Sequence, residues 1–371
     1  MHANADLHIH SPFSMAVSPA MTPASLIEAC VRKGIQVLGS GDALHPVWRA
    51  AWKEFTGEPG VIVVPTTEIE GPGRVHHLVL MESFEQFAEL ATLLEPYAKG
   101  IRTNGRPRVD LPAGEIGAFV HDLGGAIGPS HAFTPWTSLY AYFDRLTDCY
   151  GTEPVDFLEL GLSADSSYGA AIPELYDIPF LSNSDAHSTD PAKCGREYTS
   201  LDIPGLTVKA AIESVVSGRI VMNAGFFPEE GKYNRTACSR CYEQYSLEEA
   251  VETGWRCPKD GGRIKKGVFD RARELSTGPV RPRPPYLHII PLTEIIQKCL
   301  GVGSPRTKKV LAIYTRMLES FGNEINVLTG SPIEEIAEID KGVACAIDSF
   351  RIGRVKLIPG GGGLYGSFEI L

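Results

Sequence analysis

The chain has 371 residues, of which 43% are hydrophobic and 22% charged, and its net charge is −10. This composition is ordinary for a globular protein of two to three domains and excludes disordered, collagen-like and low-complexity classes. The sequence contains no apolar run of the roughly 18 residues that a membrane-spanning helix needs. Its first residues have neither the basic nor the apolar region of a signal peptide, so we expect a cytoplasmic protein.

Residues 1–225 alternate between short apolar runs and helical patterns. The runs with strand character are Ile35–Leu38, Val61–Val64, His76–Met81, Ala126–Gly128, Phe157–Leu160, Phe180–Leu181 and Arg219–Met222, and helical patterns include Pro23–Lys33, Phe84–Tyr97 and Val208–Ser217. This alternation predicts an α/β fold of parallel strands with crossover helices, and about seven units suit a barrel better than an open sheet. The absence of Gly-x-Gly-x-x-Gly after the first strand disfavours a dinucleotide-binding fold.

Near the start, Asp6-Leu-His-Ile-His10 has the alternation of a β-strand. Side chains two apart on a strand point to the same face, so His8 and His10 are expected to lie side by side. Two such imidazoles can bind one metal ion. The alternative is a pair of polar residues on an exposed strand face.

Further histidines and acidic residues follow or begin the predicted strands. They are Asp42, His45, Glu68, His76, His77, His131, Asp185 and His187. In a β/α barrel, catalytic residues collect at the C-terminal ends of the strands. The sequence therefore predicts a joint metal site at that end of the barrel.

The ligand types favour zinc, manganese or iron over magnesium or calcium, with magnesium kept as an alternative. The number of ligands exceeds what one ion can take, so two or three divalent ions are expected, with Glu68 as a bridging carboxylate. Clustered divalent ions chiefly serve phosphate-ester cleavage, because they activate water and neutralise the charge on the phosphate.

After a loop at residues 225–234, residues 235–266 contain Cys238-x-x-Cys241 and Cys257-x-x-Asp260. This is zinc-ribbon spacing, and three thiolates with Asp260 can hold one structural zinc ion. The alternative is a degenerate ribbon that folds without metal. The remaining cysteines, which we expect to be buried small hydrophobic residues, are Cys30, Cys149, Cys194, Cys299 and Cys345.

Residues 267–371 are predicted to be mostly helical, and a four-glycine run at 360–363 must form a loop. Between Thr253 and Lys309 the chain carries a net charge of +9, whereas the remainder carries −19. Such a basic segment indicates a polyanionic partner, although a solvated charged loop is the alternative.

Leu300-Gly-Val-Gly-Ser-Pro lies between helical patterns at Thr293–Leu300 and Arg306–Phe321. It is similar to the turn of a helix-hairpin-helix, in which glycines let backbone N–H groups approach a DNA phosphate. The residues expected to bind DNA are Arg263, Lys265, Lys266, Arg271, Arg306, Lys308 and Lys309.

In chain order, Asp-Leu-His-Ile-His, Gly-Asp, Thr-Glu, Val-His, Ser-His and Ser-Asp-Ala-His resemble the PHP (polymerase and histidinol phosphatase) superfamily. The resemblance implies a distorted seven-stranded β/α barrel with a trinuclear site. It also implies that the metal ligands are His8, His10, Asp42, Glu68, His76, His131, Asp185 and His187, with Asp185, Glu68 and His131 acting in catalysis. His45 is the alternative to Asp42. His76 is chosen over His77 as the metal ligand, and His77 could be an exposed partner.

The barrel, the ribbon, Lys-Lys-Gly-Val-Phe-Asp-Arg and Tyr286-Leu-His-Ile-Ile-Pro-Leu together resemble the endonuclease Q family over nearly the whole chain. The resemblance implies cleavage of DNA 5′ to uracil, hypoxanthine, xanthine or an abasic site, leaving 3′-hydroxyl and 5′-phosphate ends. A metal-activated hydroxide would attack beside a flipped-out nucleotide in double-stranded or also single-stranded DNA. Relatives suggest contact with a sliding clamp, for which no clear binding peptide is seen.

Reading of the damaged base needs polar groups at the barrel mouth. Asn183 lies two residues before Asp185 and is expected to share its face, and Ser163 lies in the loop after Phe157–Leu160. Both could instead only cap loops. The rival functions are a small-molecule phosphatase of the histidinol-phosphate type, a non-specific PHP exonuclease and a non-enzymatic DNA-binding protein.

Overall fold

A computed structural model describes residues 1–55 and 57–370 of the chain, so Leu371, the end of the predicted third region, lies outside it. The strands are β1 (His2–Asp6), β2 (Val37–Gly39), β3 (Ile62–Val64), β4 (Thr66–Glu70), β5 (His76–Leu80), β6 (Ala126–Pro129), β7 (Leu158–Glu159), β8 (Phe180–Leu181), β9 (Tyr198–Asp202), β10 (Ile220–Gly225), β11 (Ala237–Cys238), β12 (Ile264–Lys265), β13 (Tyr286–His288), β14 (Val355–Ile358) and β15 (Ser367–Ile370).

The α-helices are α1 (Pro23–Lys33), α2 (Pro46–Glu54), α3 (Phe84–Leu94), α4 (Ala113–Asp122), α5 (Leu139–Tyr142), α6 (Leu146–Tyr150), α7 (Ser166–Gly169), α8 (Val208–Val216), α9 (Leu247–Glu252), α10 (Val268–Leu275), α11 (Leu292–Leu300), α12 (Lys308–Phe321), α13 (Glu324–Thr329), α14 (Ile333–Ile339) and α15 (Lys341–Arg351). The long helices predicted from periodicity are present. Their starts are fixed by side-chain caps, such as Thr22 before α1, whose hydroxyl accepts from the backbone N–H of Ser25.

The first region closes into a distorted barrel. Strands β1, β2 and β3 are parallel, and the chain passes from β3 through Pro65 into β4. Strand β6 meets β7 where the Asp156 N–H donates to the Ile127 carbonyl at 3.0 Å. Strands β7 and β8 are parallel, and a bridge between Ile9 and Ala186 returns to the start. The predicted fold class, an α/β barrel followed by a ribbon and a mostly helical region, is confirmed.

The expectation of purely parallel strands was wrong. Strands β4, β5 and β6 form an antiparallel sheet, and β9 pairs antiparallel with both β1 and β10. Strands β4 and β9 were not predicted. The run Thr66–Glu70 lacks a hydrophobic pattern, because both of its faces are buried and one of them carries polar side chains of the site.

The strand predicted over Asp6–His10 was also misplaced, since β1 ends at Asp6. His8 and His10 lie on the extended segment beyond it. There the His10 N–H donates to the Ala186 carbonyl at 3.0 Å, so the segments after β1 and β8 run side by side.

In the ribbon, β11 and β12 pair antiparallel, and the residues between them pack around a small core of Cys238, Ala250, Cys257 and Ile264. A second core holds α11, α12, α14 and α15 together, and its hairpin of β14 and β15 was not predicted. Two elements expected in the third region lie elsewhere. Helix α10 packs into the barrel core through Val268 and Ala272, and β13 extends the barrel sheet beside β10.

Among the described residues, no helix combines the length and the apolar character needed to cross a membrane. Two further expectations about burial were wrong. Cys299 and Cys345 are exposed, because they face outward on α11 and α15. His77, by contrast, is buried, because β5 is covered on both faces.

Candidate metal and nucleic-acid site

The side chains predicted to bind metal converge from five segments at one end of the barrel. His8 and His10 follow β1, Glu68 lies in β4, and His76 begins β5. His131 follows β6, and Asp185 follows β8. His131 and Asp185 have positive φ angles of 32° and 47°, which turn the chain sharply at the strand ends.

Two groups of potential ligands form there. His8, His10 and Asp185 make one group, and Glu68, His76 and His131 make the other; within each group the ligand atoms lie within 4.8 Å of one another. The two groups adjoin, since Glu68 lies 3.6 Å from Nε2 of both His8 and His10. This carboxylate therefore lies between the two groups, within 3.6 Å of a ligand atom of His8 and of His10.

Carboxylates outside the two groups orient the imidazoles. His8 Nδ1 donates to Glu159 Oε2 at 2.9 Å, and His10 Nδ1 donates to Asp42 Oδ1 at 3.2 Å. In both cases Nε2 is left to face the cluster. A carboxylate that accepts a hydrogen bond from a histidine in this way is common in the second layer around a bound metal.

Asp42 lies outside both groups, which departs from the ligand role predicted for it. Its other oxygen, Oδ2, accepts hydrogen bonds from the Ser11 backbone N–H and the hydroxyls of Ser11 and Ser14. Its predicted substitute, His45, also lies outside both groups and stacks on Phe13 with ring centres 3.7 Å apart. The position of Asp42 indicates that it orients His10.

The pleat of β5 decides which of the two neighbouring histidines, His76 or His77, faces the cluster. His76 Nδ1 donates to Glu68 at 2.9 Å, on the face of the cluster. His77 points to the opposite face and contacts the Tyr150 hydroxyl at 2.6 Å, and burial lowers its pKa to about 3. The His187 ring lies tilted against that of His10, with ring centres 4.6 Å apart, and its Nδ1 donates to the Asp185 carbonyl, but it belongs to neither group.

The groups carry strongly shifted pKa values. Burial lowers the pKa of His10, but hydrogen bonds to Asp185 and Asp42 outweigh it and raise the pKa to about 9. Burial raises the pKa of Glu68, but the nearby His76 and His8 outweigh it and hold this pKa well below its usual range. The cluster therefore favours ionised carboxylates, and protons compete with cations for the imidazoles.

Among the described residues, five buried imidazole nitrogens have no hydrogen-bond partner, and three of them, Nε2 of His8, Nε2 of His76 and Nδ1 of His131, belong to the ligand groups. Buried polar atoms are normally satisfied, so each unpaired nitrogen calls for a partner that is not a protein group. A divalent cation bound by imidazole and carboxylate fits these atoms and this mixture of ligands.

His76, His131 and Asp185 of the cluster line an open cavity of about 850 Å³. Both residues predicted to read the base line it. Asn183 is almost fully buried, and its amide accepts from the Leu7 N–H at 2.7 Å and donates to Glu159 at 2.8 Å. One N–H and one lone pair of this amide remain for a ligand. Ser163 is half-buried at the cavity wall.

Several functional candidates were missed from the sequence. Glu159 is an acidic residue at the end of a buried strand, which is the signal that could have identified it. Arg106 donates to Glu68 at 3.0 Å, and Arg74, Lys193 and Arg196 also line the cavity. These cations lie on loops without a motif, so no local pattern reveals them.

In the ribbon, Cys238, Cys241, Cys257 and Asp260 place their ligand atoms within 4.8 Å of one another. The sulfurs of Cys241 and Cys257 are 3.6 Å apart, and Cys238 Sγ lies 3.4 Å from Asp260 Oδ1. The Tyr245 hydroxyl contacts Cys257 Sγ at 3.1 Å. These four residues fit one tetrahedral zinc ion.

The residues predicted to bind DNA are not equivalent. Lys308 and Lys309 are exposed at the start of α12, after the turn at residues 301–307, and Arg263 is exposed beside the ribbon. Arg306 is paired with Asp190, and Lys266 with Glu274. Arg271 fixes α10 to the barrel by donating hydrogen bonds to the carbonyls of Tyr140 and Phe143. The Lys265 ammonium lies over the ring of Trp136.

Comparison with known proteins identifies the family. The chain superposes on the crystal structure of the lesion-specific endonuclease PfuEndoQ from Pyrococcus furiosus with a TM-score of 0.96 and 43% identity, covering 100% of this chain and 96% of that one. This chain belongs to the endonuclease Q family. A second endonuclease Q structure, a complex with a 27-mer duplex carrying an abasic lesion at the active site, matches with a TM-score of 0.94 and 43% identity over 100% of this chain and 97% of that one.

Two uncharacterized proteins are similar in sequence to this endonuclease Q chain. The uncharacterized protein YqxK of Bacillus subtilis is 33% identical, with 98% of each chain covered. The uncharacterized protein MJ0043 of Methanocaldococcus jannaschii is 45% identical over 250 residues, which is 64% of this chain but only 31% of that protein's length. Residues 291–354 match the family described as the MJ0043 C-terminal domain, which covers most of the helical region.

Proposed function

We propose that this protein is a metal-dependent DNA repair endonuclease. It cuts the phosphodiester bond 5′ to a deaminated base (uracil, hypoxanthine or xanthine) or an abasic site and leaves 3′-hydroxyl and 5′-phosphate ends. The observation that carries the proposal is the pair of histidine–carboxylate groups that adjoin at Glu68 and reach the cavity through His76, His131 and Asp185. The full-length likeness to a lesion-specific endonuclease supports it.

Two to three divalent ions, with zinc as first choice and manganese, iron or magnesium as alternatives, would be held by His8, His10, Glu68, His76, His131 and Asp185. Bound there, they supply a nucleophile at neutral pH and neutralise charge on the phosphate. Asp185, Glu68 and His131 are the proposed catalytic residues. A further zinc ion would hold the ribbon together.

The chain's own residues bind and orient the substrate. Arg74, Arg106 and Arg196 give the cavity wall positive charge, which attracts the phosphates on either side of the damaged nucleotide. Flipping a nucleotide into the cavity costs a few kcal/mol, least where pairing is already weak, and this favours deaminated and abasic positions. Ser163 and the remaining donor and acceptor of Asn183 are placed to contact the base edge.

DNA outside the cavity would be gripped by the exposed cations of the ribbon and the helical region, Arg263, Lys308 and Lys309. In the turn at residues 301–307, Gly301 and Gly303 face open space, so a phosphate can approach the backbone of this turn, although the Gly301 N–H itself donates to the Lys298 carbonyl. Arg306 and Lys266 contribute long-range charge, although each is paired within the protein.

The test is incubation of the purified protein with end-labelled duplexes that carry one uracil, one hypoxanthine, one abasic site or no lesion, with Mg²⁺ or Mn²⁺ supplied. We expect a single cut 5′ to each lesion and none in the undamaged duplex. Asp185→Asn should abolish the cut, whereas Asp156→Asn, outside the cavity, should preserve it. Laddered products from undamaged strands, or phosphomonoester turnover that exceeds nicking, would support the rival functions instead.

A further inference from the structure

Three aromatic rings and two lysines alternate along one side of the cavity mouth. The Lys265 ammonium lies 4.4 Å from the ring centre of Trp136 and 5.5 Å from that of Tyr233. The Lys232 ammonium lies 5.4 Å from the ring centre of Tyr233 and 5.5 Å from that of Tyr365. We call these five residues the aromatic ladder.

The ladder is assembled from four separate segments. Trp136 belongs to the barrel loop after His131, Lys232 and Tyr233 to the segment between barrel and ribbon, Lys265 to β12, and Tyr365 to the loop between β14 and β15. Trp136 is 42% and Tyr365 69% exposed. Large aromatic side chains that converge from distant segments and stay exposed indicate a binding surface.

The ladder connects two cavities. Trp136 and Tyr233 line both the cavity with the metal ligands and a second cavity of about 520 Å³ between the barrel loop and the ribbon. Tyr365 lines the first cavity from the opposite end of the ladder. A DNA strand that runs from the second cavity into the cavity with the metal ligands therefore passes along Trp136 and Tyr233.

The four-glycine run explains how Tyr365 is held. A Cβ atom on Gly362 would come within 2.1 Å of the Cys238 carbonyl oxygen, so only glycine lets the loop pack this closely on the ribbon. Gly362 and Gly363 also have φ angles of 64° and 117°. The loop is thus fixed against the ribbon, with Tyr365 directed over the cavity.

We propose that the aromatic ladder binds unpaired nucleotides of DNA that neighbour the nucleotide held in the cavity. Ring faces stack on bases without regard to sequence, and ammonium groups between them pair with the backbone phosphates. Within the described part of the chain, neither Lys232 nor Lys265 forms an ion pair with an acidic side chain, so both keep their charge for a phosphate. The assignment rests on the proposed function, because flipping at a lesion leaves the opposite base unpaired and exposes a ring face of each adjacent base.

The bases of an intact duplex are already stacked and offer no free faces to the rings. The ladder should therefore distinguish unpaired from paired DNA, unlike the exposed cations of α12. The test is binding of fluorescently labelled single-stranded DNA and of an undamaged duplex of the same sequence, measured by anisotropy. We expect Trp136→Ala and Tyr365→Ala each to weaken single-strand binding roughly 10-fold, about 1.4 kcal/mol, with duplex binding unchanged.

Two controls separate stacking from misfolding. Tyr365→Phe keeps the ring and should bind as the wild type does. Tyr97→Ala removes a tyrosine that is 43% exposed outside the ladder and should also have no effect. Unchanged single-strand binding in both alanine variants, or an equal loss for duplex DNA, would overturn the proposal.

A fluorescent 2-aminopurine placed opposite an abasic site, or next to it in the same strand, identifies which nucleotides occupy the ladder. We expect quenching by the wild-type protein at one of these positions and recovery of the signal with Tyr365→Ala. If the fluorescence recovers at neither of the two positions, the proposal is contradicted. Failure of the wild type to nick the lesion duplex would instead refute the endonuclease function and leave the single-strand measurement intact.

Discussion

His8 and Glu159 form a buried pair in which the imidazole Nδ1 donates to both carboxylate oxygens, at 3.0 and 2.9 Å. Each side chain is only 1% exposed. The same carboxylate accepts from the Asn183 amide and from the His131 backbone N–H. Glu159 therefore fixes His8, His131 and Asn183 relative to one another, although it belongs to neither ligand group.

The first prediction concerns this carboxylate. Glu159→Gln removes its charge and should lower metal affinity 10- to 100-fold, because a carboxylate behind a ligating histidine raises the basicity of the ligand. The measurement is metal content after dialysis at graded metal concentrations. Glu153→Gln alters a comparable pair, with His121, outside the site and should leave metal content unchanged. Equal metal content in both variants would show that Glu159 has no such role.

The second prediction concerns base reading. Ser163→Ala should slow cleavage at uracil about 10-fold or more while leaving cleavage at an abasic site unchanged, because an abasic site presents no base edge. The ratio of the two rates is the readout, and it is insensitive to a general loss of activity. An unaltered ratio would show that the Ser163 hydroxyl only shapes its loop.

The third prediction concerns the ribbon. Cys257→Ser should release one zinc ion per chain and lower the melting temperature, because metal binding contributes folding free energy to such small modules. Asp260→Ala should weaken zinc binding less. Cys345→Ser alters an exposed cysteine on α15 and serves as the control. Full zinc retention in Cys257→Ser would indicate a ribbon that folds without metal.

The fourth prediction concerns pH. Glu197 is fully buried, and burial raises its pKa to about 8 from an ordinary value of 4.5. Between these values the folded chain holds a proton that the unfolded chain has lost, so stability falls as pH rises through this range, by up to about 1.4 kcal/mol per pH unit. Glu197→Gln should remove this part of the pH dependence in unfolding experiments between pH 5 and 9, a range set around the two pKa values. Parallel curves for both proteins would contradict it.

The fifth prediction concerns the contact between barrel and helical region. Lys33 Nζ lies 2.8 Å from Glu324 Oε1, and both side chains are at most 4% exposed. Lys33→Met leaves a buried charge without its partner and should cost about 3–5 kcal/mol of unfolding free energy. Lys53→Met breaks an exposed pair with Glu85 and should cost under about 1 kcal/mol. Denaturant unfolding measures both, and equal losses would refute the role of burial.

The ligand groups show how far sequence patterns reach. The sequence identified all six residues of the ligand groups as candidates, because histidines and acidic residues recur at the ends of successive predicted strands. They are His8, His10, Glu68, His76, His131 and Asp185. The strand placed over His8 and His10 was nevertheless wrong, because alternation along a chain does not reveal where its pairing partner changes. In the structure, the segment after Asp6 leaves β9 and meets Ala186.

Residues whose role depends on distant partners were harder to find in this way. Arg106 carries no local motif and Glu159 is marked only by its place at the end of a buried strand, and each acquires its role from the side chain that it meets, Glu68 or His8. Asp42 was expected to bind metal, yet three hydrogen bonds from Ser11 and Ser14 hold it behind His10.

The sequence by itself determined the barrel class, the order of the metal-binding motifs, the cysteine pattern of the ribbon and the basic segment, because each depends on composition or on spacing along the chain. Only the tertiary structure decided which carboxylates contact the imidazoles, that α10 and β13 belong with the barrel, and that Trp136, Tyr233 and Tyr365 share one surface. The physical reason is that hydrogen bonds and packing act over a few ångströms in space. Residues such as Lys33 and Glu324, 291 positions apart, come within that range only through the path of the folded chain.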